Sequence, residues 1–86
     1  MTRWQMALFL TRIVAATGID LPDGFDQGFA DLASIQPNAQ VAINQLKQLG
    51  ITTGTSATTF NPTGLVRRDQ MASFLARTLQ LVGAGL

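Results

Sequence analysis

A short pattern occurs twice in this chain, and it constrains the fold more than any other feature of the sequence. Seven residues recur 65 positions apart without a gap: Arg3, Gln5, Met6, Ala7, Phe9, Leu10 and Arg12 match Arg68, Gln70, Met71, Ala72, Phe74, Leu75 and Arg77. So many identities in so short a window are unlikely by chance, and self-similarity at a fixed spacing is typical of repeat architectures. The two copies should therefore form the same structural element.

Both copies of the pattern are predicted to be helices, and a third helix lies between them. Apolar residues three and four positions apart predict helices over about residues 2–17, 37–49 and 66–82. The predicted buried stripes are Met6, Phe9, Leu10, Ile13 and Val14 in the first helix, Ala39, Ala42, Ile43, Leu46 and Leu49 in the second, and Met71, Phe74, Leu75, Thr78, Leu79 and Val82 in the third. The predicted fold class is all-α.

Residue types that begin and end helices support these boundaries. Thr2 followed three residues later by Gln5 fits a capping box, in which each side chain pairs with a free N–H group of the other residue's backbone. Gly18 and Gly50 can adopt the left-handed conformation that ends a helix. Pro37 is tolerated in the first turn of the second helix.

The connection before the third helix is rich in Gly and Thr and contains the turn Asn61-Pro62-Thr63-Gly64. Pro62 fixes φ in such a turn, and Gly64 tolerates positive φ. Phe60, immediately before it, is expected to hold the loop to the core. This loop lacks the Lys and the spacing of a phosphate-binding loop, so its expected role is to redirect the chain between helices.

The residue types that are missing argue against catalysis. The chain has no Cys and no His, and inspection shows neither Glu nor Tyr, so all five acidic residues are Asp. Most acid–base and nucleophilic designs need one of these types. The spacing of Asp20, Asp23, Asp26 and Asp31 does not fit a calcium-binding loop. We therefore expect no enzymatic activity, no cofactor and no metal site.

The charge and hydropathy of the chain limit the kinds of partner that it can bind. The net charge is +1, without the dense basic face of a nucleic-acid-binding protein. The longest apolar run, residues 6–10, is too short for a membrane span or a signal peptide. Arg12 and Arg77 are expected to form salt bridges on the helix surface, with Asp31 as one candidate partner.

Four short motifs follow one another along the chain. They are Thr2-Arg3-Trp4-Gln5 with its second copy Val66-Arg67-Arg68-Asp69-Gln70, then Phe29-Ala30-Asp31-Leu32, then Ala42-Ile43 with Leu46 and Gly50-Ile51, and finally Gly54 with Thr59-Phe60-Asn61-Pro62. In type and order these motifs resemble the repeat of the S-layer homology domain family, and the resemblance covers nearly the whole chain.

This resemblance implies a non-catalytic module at the bacterial cell surface, where it anchors extracellular proteins by binding cell-wall glycans, either secondary cell-wall polysaccharide or peptidoglycan-linked glycan. The family's binding Arg lies in the opening motif. A guanidinium at a helix start can hold a sugar carboxylate in a two-pronged pair, and the free N–H groups there add to the attraction. The candidate glycan-binding residues are Arg3, Arg68, Arg67, Gln5, Gln70 and Gly54. The alternative for Arg3 and Arg68 is a structural role, in which a partly exposed Arg packs its stem and donates to loop carbonyls, and the alternative for Arg67 is an ordinary solvated charge.

The resemblance also implies a domain organisation and an alternative function. Residues 1–86 would form a single module, with one helical-hairpin repeat over about residues 1–65 and half a repeat over about 66–86. Gln5 and Gln70 stand where the family motif has Glu, and family domains commonly hold three repeats. These departures favour a self-assembling structural protein, such as a component of a surface layer, a filament or a viral particle, that uses the same fold for subunit contacts.

Trp4 and Leu8 are the candidate contact between subunits. They lie one turn apart on the first helix, whereas the second copy has Asp69 and Ser73 at these positions. An apolar pair four residues apart makes a patch that a monomer would cover. Either the long loop after the first helix covers it or a neighbouring copy does, and the sequence predicts a homo-oligomer or contact with further repeats.

Overall fold

Three helices joined by two long connections make up the fold in this computed structural model. They are α1 (Arg3–Ala16), α2 (Pro37–Gln48) and α3 (Arg68–Ala84), each within two residues of its predicted bounds. The structure describes residues 1–52, 54 and 58–84, and within these ranges it contains no strand. The all-α prediction is therefore confirmed in its helix content.

The helix ends use the chemistry that the sequence predicted. The N–H of Thr2 donates to Oε1 of Gln5 at 2.9 Å, and the N–H of Gln5 donates to Oγ1 of Thr2 at 3.4 Å, which completes the capping box of α1. Beyond the C-terminal ends of α1 and α2, Gly18 and Gly50 adopt φ values of 87° and 77°. A side chain is strained in this left-handed region, so both positions favour glycine.

The core forms where α1 packs against α2, while α3 makes a smaller contact with α1. The two long connections complete it, because they contribute aromatic and aliphatic side chains that the helices alone do not supply. Burying a side chain of this size stabilises the fold by about 1.5–3 kcal/mol. The cluster consists of Met6, Ala7, Leu10, Val14, Phe29, Leu32, Ala42, Ile43, Leu46, Ile51, Phe60 and Phe74.

Two residues of the predicted stripes are exposed. Phe9 is 43% exposed and Leu79 is 64% exposed. In α1, the side that faces inward includes Ala7 and Thr11, so that Phe9 lies at the edge of the buried face. In α3, the exposed position of Leu79 follows from the limited contact of this helix, which packs on α1 but makes no close approach to α2 in the described structure.

The turn before α3 also differs from the prediction. Its left-handed residue is Asn61, with φ of 57°, and not Gly64. Asn tolerates this conformation better than most residues. A Cβ at Gly64 would meet the side-chain amide of Asn61, which would have to move to make room.

Candidate functional site

The loop at residues 61–66 closes the N-terminus of α1. The N–H groups of Arg3 and Trp4 donate to the carbonyl oxygens of Gly64 (2.9 Å) and Pro62 (3.0 Å). Together with the capping box, these bonds occupy all four N–H groups that a helix start otherwise leaves unpaired. The expectation that free N–H groups would attract an anion at this helix start is therefore wrong.

The side chain of Arg3 points into the protein. Its Nε donates to the carbonyl oxygen of Phe60 at 2.7 Å, and only 4% of the residue is exposed. Burial lowers the pKa of Arg3, and the nearby carboxylate of Asp31 partly offsets this effect. An arginine remains charged nonetheless. Arg3 is therefore a buried cation that joins the Gly/Thr-rich loop to α1.

Arg3 belongs to a row of aromatic rings and cations that links all three helices. Its guanidinium lies 4.6 Å from the ring centroid of Phe60 and 5.6 Å from that of Phe74 in α3. The Phe60 ring meets Phe29 edge-on, with centroids 5.7 Å apart, and Nζ of Lys47 in α2 lies 5.8 Å from the Phe29 centroid. Cation–π contacts contribute about 0.5–2 kcal/mol each, more when they are shielded from water. We call these five residues the cation–aromatic row.

Asp31 holds the same loop from its other side. Its carboxylate accepts hydrogen bonds from the N–H of Phe60 (3.0 and 3.2 Å) and from the N–H of Asn61 (2.8 Å). The N–H of Ala30 donates to the carbonyl oxygen of Thr58 at 2.7 Å. The Phe-x-Asp motif therefore clamps the loop, since Phe29 packs on the Phe60 ring and Asp31 binds the backbone.

This use of Asp31 corrects the predicted salt bridges. Among the described residues, neither Arg12 nor Arg77 pairs with a carboxylate. Nη1 of Arg77 donates instead to the carbonyl oxygen of Ile51 at 3.1 Å, and Arg12 is exposed. The ion pair among the described residues joins Nε of Arg67 to Oδ1 of Asp69 at 3.2 Å.

The start of α3 is open, although it repeats the sequence of α1. The N–H of Arg67 donates to Oε1 of Gln70 at 3.0 Å, which is half of a capping box. The other half is absent because Arg67, at the position of Thr2, has no acceptor atom. In the described part of the chain, no loop covers this helix start, and the side chain of Arg68 is exposed. The two copies of the motif thus present one closed and one open helix start.

The remaining predicted site residues are placed as follows. Gly54 has φ of 85° and its N–H donates to Oγ1 of Thr52 at 3.1 Å, whereas residues 53 and 55–57 of the same loop lie outside the described residues. Trp4 and Leu8 are half-buried and pack against the core cluster. The candidate glycan set is divided between two helix starts, with Gln5 beside Arg3 in α1 and Gln70 beside Arg67 and Arg68 at α3.

The segments before the two helices pair with each other. Thr2 and Leu65 form an isolated antiparallel bridge, and the N–H of Val66 donates to the carbonyl oxygen of Met1 at 3.0 Å. Within the described residues, no group of acidic side chains could hold a metal ion. No helix there is long and apolar enough to cross a membrane.

These features define a class of protein, a helical module in which a clamped loop closes the start of a repeated helix. The family model of the S-layer homology domain matches residues 28–72, just over half of the chain. The chain therefore belongs to the S-layer homology family, as its motifs predicted. No curated protein and no solved structure gave a significant match.

The matched segment contains most of the site. It begins beside Phe29 and extends into α3, so it includes the Asp31 clamp, α2, the loop with Phe60, and the open helix start with Arg68. Domains of this family are generally non-catalytic modules that anchor proteins to the cell wall, and membership implies association with the cell surface.

Proposed function

We propose that this chain is an anchoring module that binds an acidic cell-wall glycan, with Arg68 as its main contact. One observation supports this choice of residue. Arg3 is 4% exposed and bonded to Phe60 within the protein, whereas its counterpart Arg68 is exposed at an open helix start. Of the two family arginines, Arg68 is thus the one that a polymer can reach from solution.

The chemistry at this helix start suits a carboxylate on a sugar. The planar guanidinium of Arg68 can hold a carboxylate through two parallel N–H groups, and the positive end of the α3 dipole favours a negative charge. Arg67 supplies a second positive charge. Its ion pair with Asp69 has both side chains more than 70% exposed, and such pairs contribute little, so a ligand can displace the partner at small cost. Gln70 holds the backbone of Arg67 in place.

Retention on purified cell-wall sacculi, with and without removal of the secondary polymer, tests this proposal. Arg68→Ala should weaken binding by about 1–3 kcal/mol, because a charge-assisted pair is lost. Arg12→Ala is the matched control, since it removes the same charge from another exposed position on a repeated helix. If the protein were retained neither on sacculi with the secondary polymer nor on sacculi without it, the anchoring role would be overturned. If Arg68→Ala and Arg12→Ala weakened binding equally, binding would depend on net charge alone.

We also propose that the chain is divided into one repeat over about residues 1–65 and half a repeat over about 66–86. The closure of α1 by residues 61–66 supports this division, because the loop that ends the first repeat returns to the helix that begins it. Gly54 would then face the glycan beside the repeat junction. A Gly54→Val variant that binds sacculi normally would exclude this contribution.

Self-assembly is the second candidate function. The observation that favours it is the exposure of a large aromatic side chain on the first repeated helix, Phe9 at 43%. The predicted contact through Trp4 and Leu8 remains part of this proposal. The double variant Trp4→Asp with Leu8→Ser tests it by light scattering, and a wild type that is monomeric at high concentration would exclude it.

A further inference from the structure

Two exposed residues are the counterparts of two residues that contact each other inside the chain. The guanidinium of Arg3 in α1 lies 5.6 Å from the ring centroid of Phe74 in α3, and these residues are only 4% and 7% exposed. In the repeated pattern, Arg68 corresponds to Arg3 and Phe9 corresponds to Phe74. Arg68 is exposed, and Phe9 is 43% exposed. In α1 the Arg of the repeated pattern therefore makes this contact and the Phe is exposed. In α3 the Phe makes the contact and the Arg is exposed.

We propose that the chain associates with a second copy of itself through the guanidinium of Arg68 in one copy and the ring of Phe9 in the other. The contact between Arg3 and Phe74 within a chain would then recur between Arg68 of one copy and Phe9 of the other. Each copy carries both an open Arg68 and an open Phe9. A two-fold dimer can satisfy both pairs at once, because in such an interface each contact occurs twice.

The chemistry of the two open residues supports a second copy as the partner. Around Phe9, Met6, Ala7 and Leu10 are buried in the core of their own chain, so the Phe9 ring is the part of the repeated pattern that Arg68 of another copy can reach. An exposed aromatic ring gains from burial, and an arginine over its face gains a cation–π attraction that grows as water is excluded.

The association is compatible with the proposed glycan binding but does not depend on it. A guanidinium stacks on a ring through its face and holds a carboxylate through its edge, so Arg68 can do both. Trp4 and Leu8 differ from Phe9 because they already pack against the core of their own chain. We therefore place the centre of the contact at Phe9.

Crosslinking of single-cysteine variants tests the pairing directly, since the chain contains no Cys. Phe9→Cys mixed with Arg68→Cys should give a mixed dimer with a short bismaleimide, because this dimer keeps one native Arg68–Phe9 pair. Either variant alone loses both pairs and should crosslink less. As a control, Arg68→Cys is mixed with Phe25→Cys, since Phe25 in the loop after α1 is more exposed than Phe9, at 62% against 43%. The proposal would be overturned if the mixture of Phe9→Cys and Arg68→Cys gave no more crosslinked dimer than the mixture of Phe25→Cys and Arg68→Cys.

Sedimentation equilibrium without glycan gives an independent test on single substitutions. Phe9→Ser and Arg68→Ala should each raise the dimer dissociation constant about tenfold or more, as expected for central residues of an interface. Arg12→Ala and Leu79→Ser should leave it within about twofold, although Leu79 is more exposed than Phe9. Circular dichroism confirms that each variant is folded. A monomeric wild type at the highest attainable concentration, or an effect of Leu79→Ser equal to that of Phe9→Ser, would overturn the proposal.

Discussion

The side chain of Arg3 contacts Phe60 in two ways at once. Its Nε donates to the Phe60 carbonyl oxygen at 2.7 Å, and its guanidinium lies 4.6 Å from the centroid of the same residue's ring. These residues are 57 positions apart in the sequence. Arg3, which the family motif suggests as a ligand contact, therefore fixes the Gly/Thr-rich loop against the first turn of α1.

Replacing Arg3 by Ala should lower the free energy of unfolding by about 2–4 kcal/mol, because the buried Phe60 carbonyl loses its donor and two rings lose their cation. Arg68→Ala is the matched control, since it removes the same charge from an exposed position. It should change the free energy of unfolding by no more than about 0.5 kcal/mol. Urea denaturation followed by circular dichroism measures both. If Arg3→Ala lowered the free energy of unfolding as little as Arg68→Ala does, a structural role for Arg3 would be contradicted.

Gly24 and Gly28 should respond differently to Ala. Both have positive φ, 73° and 91°, so Ala is strained at either position. At Gly24 a Cβ would also lie 2.7 Å from Cγ1 of Val41, whereas at Gly28 it would meet nothing within 4 Å. We expect Gly28→Ala to destabilise by about 1 kcal/mol and Gly24→Ala by about 2–4 kcal/mol. Thermal denaturation compares the two, and equal losses would mean that the loop moves away from Val41 without strain.

Arg67→Thr should complete the capping box of α3. The Thr hydroxyl would accept the N–H of Gln70, as Oγ1 of Thr2 does for Gln5 in α1, while the exposed pair with Asp69 contributes little. We expect the first turn of α3 to be stabilised by about 0.5–2 kcal/mol. Amide hydrogen exchange at Gln70 reports this gain locally. Arg67→Ala serves as the control, because it removes the charge without adding an acceptor and should not slow exchange.

Asp23 should make stability depend on pH in the acid range. Nε2 of Gln48 donates to its carboxylate at 2.9 Å and the N–H of Phe25 donates at 3.3 Å. These bonds lower the pKa of Asp23 from its ordinary value of 3.8. Because the folded pKa lies below the unfolded one, the stabilisation is complete above the unfolded pKa and is lost as the pH falls through the folded pKa.

Asp23→Asn should therefore reduce the loss of stability that accompanies acidification below the unfolded pKa of Asp. Gln48→Ala should reduce it as well, because it removes the first and largest cause of the shift. Urea titrations at a series of acid pH values measure the effect. An unchanged pH dependence in both variants would show that the Asp23–Gln48 bond does not form in solution.

The helices were predictable because local spacing determines them. The repeated stripe, the Thr2–Gln5 box and the glycines at the helix ends each act within a few residues. The exposure of Phe9 was not predictable in this way, since apolar spacing defines a broad face and only the packing of α2 decides which part of it is covered. Similarly, both Asn61 and Gly64 tolerate the left-handed conformation, and the local sequence did not decide which of them would adopt it.

The candidate site was predictable in its residues but not in their roles. The motifs identified Arg3, Arg68 and Asp31 from the sequence. Their roles depend on contacts across the chain, since Asp31 binds the backbone of Phe60 29 positions away and residues 61–66 cover one helix start but not the other. The replacement of Thr2 by Arg67 in the second copy was the one local signal that the two helix starts would differ.

The closure of α1 by residues 61–66 has a consequence for how the protein folds during synthesis. The N–H groups of Arg3 and Trp4 bond to Gly64 and Pro62, which leave the ribosome about 60 residues after them. We therefore expect α1 to remain incompletely formed on the nascent chain until the Gly/Thr-rich loop has emerged from the exit tunnel. Ribosome-stalled chains that expose residues 1–58 should be digested within α1 by a protease, and those that expose residues 1–70 should resist. Equal protection of both would show that α1 and α2 form a stable unit without the loop.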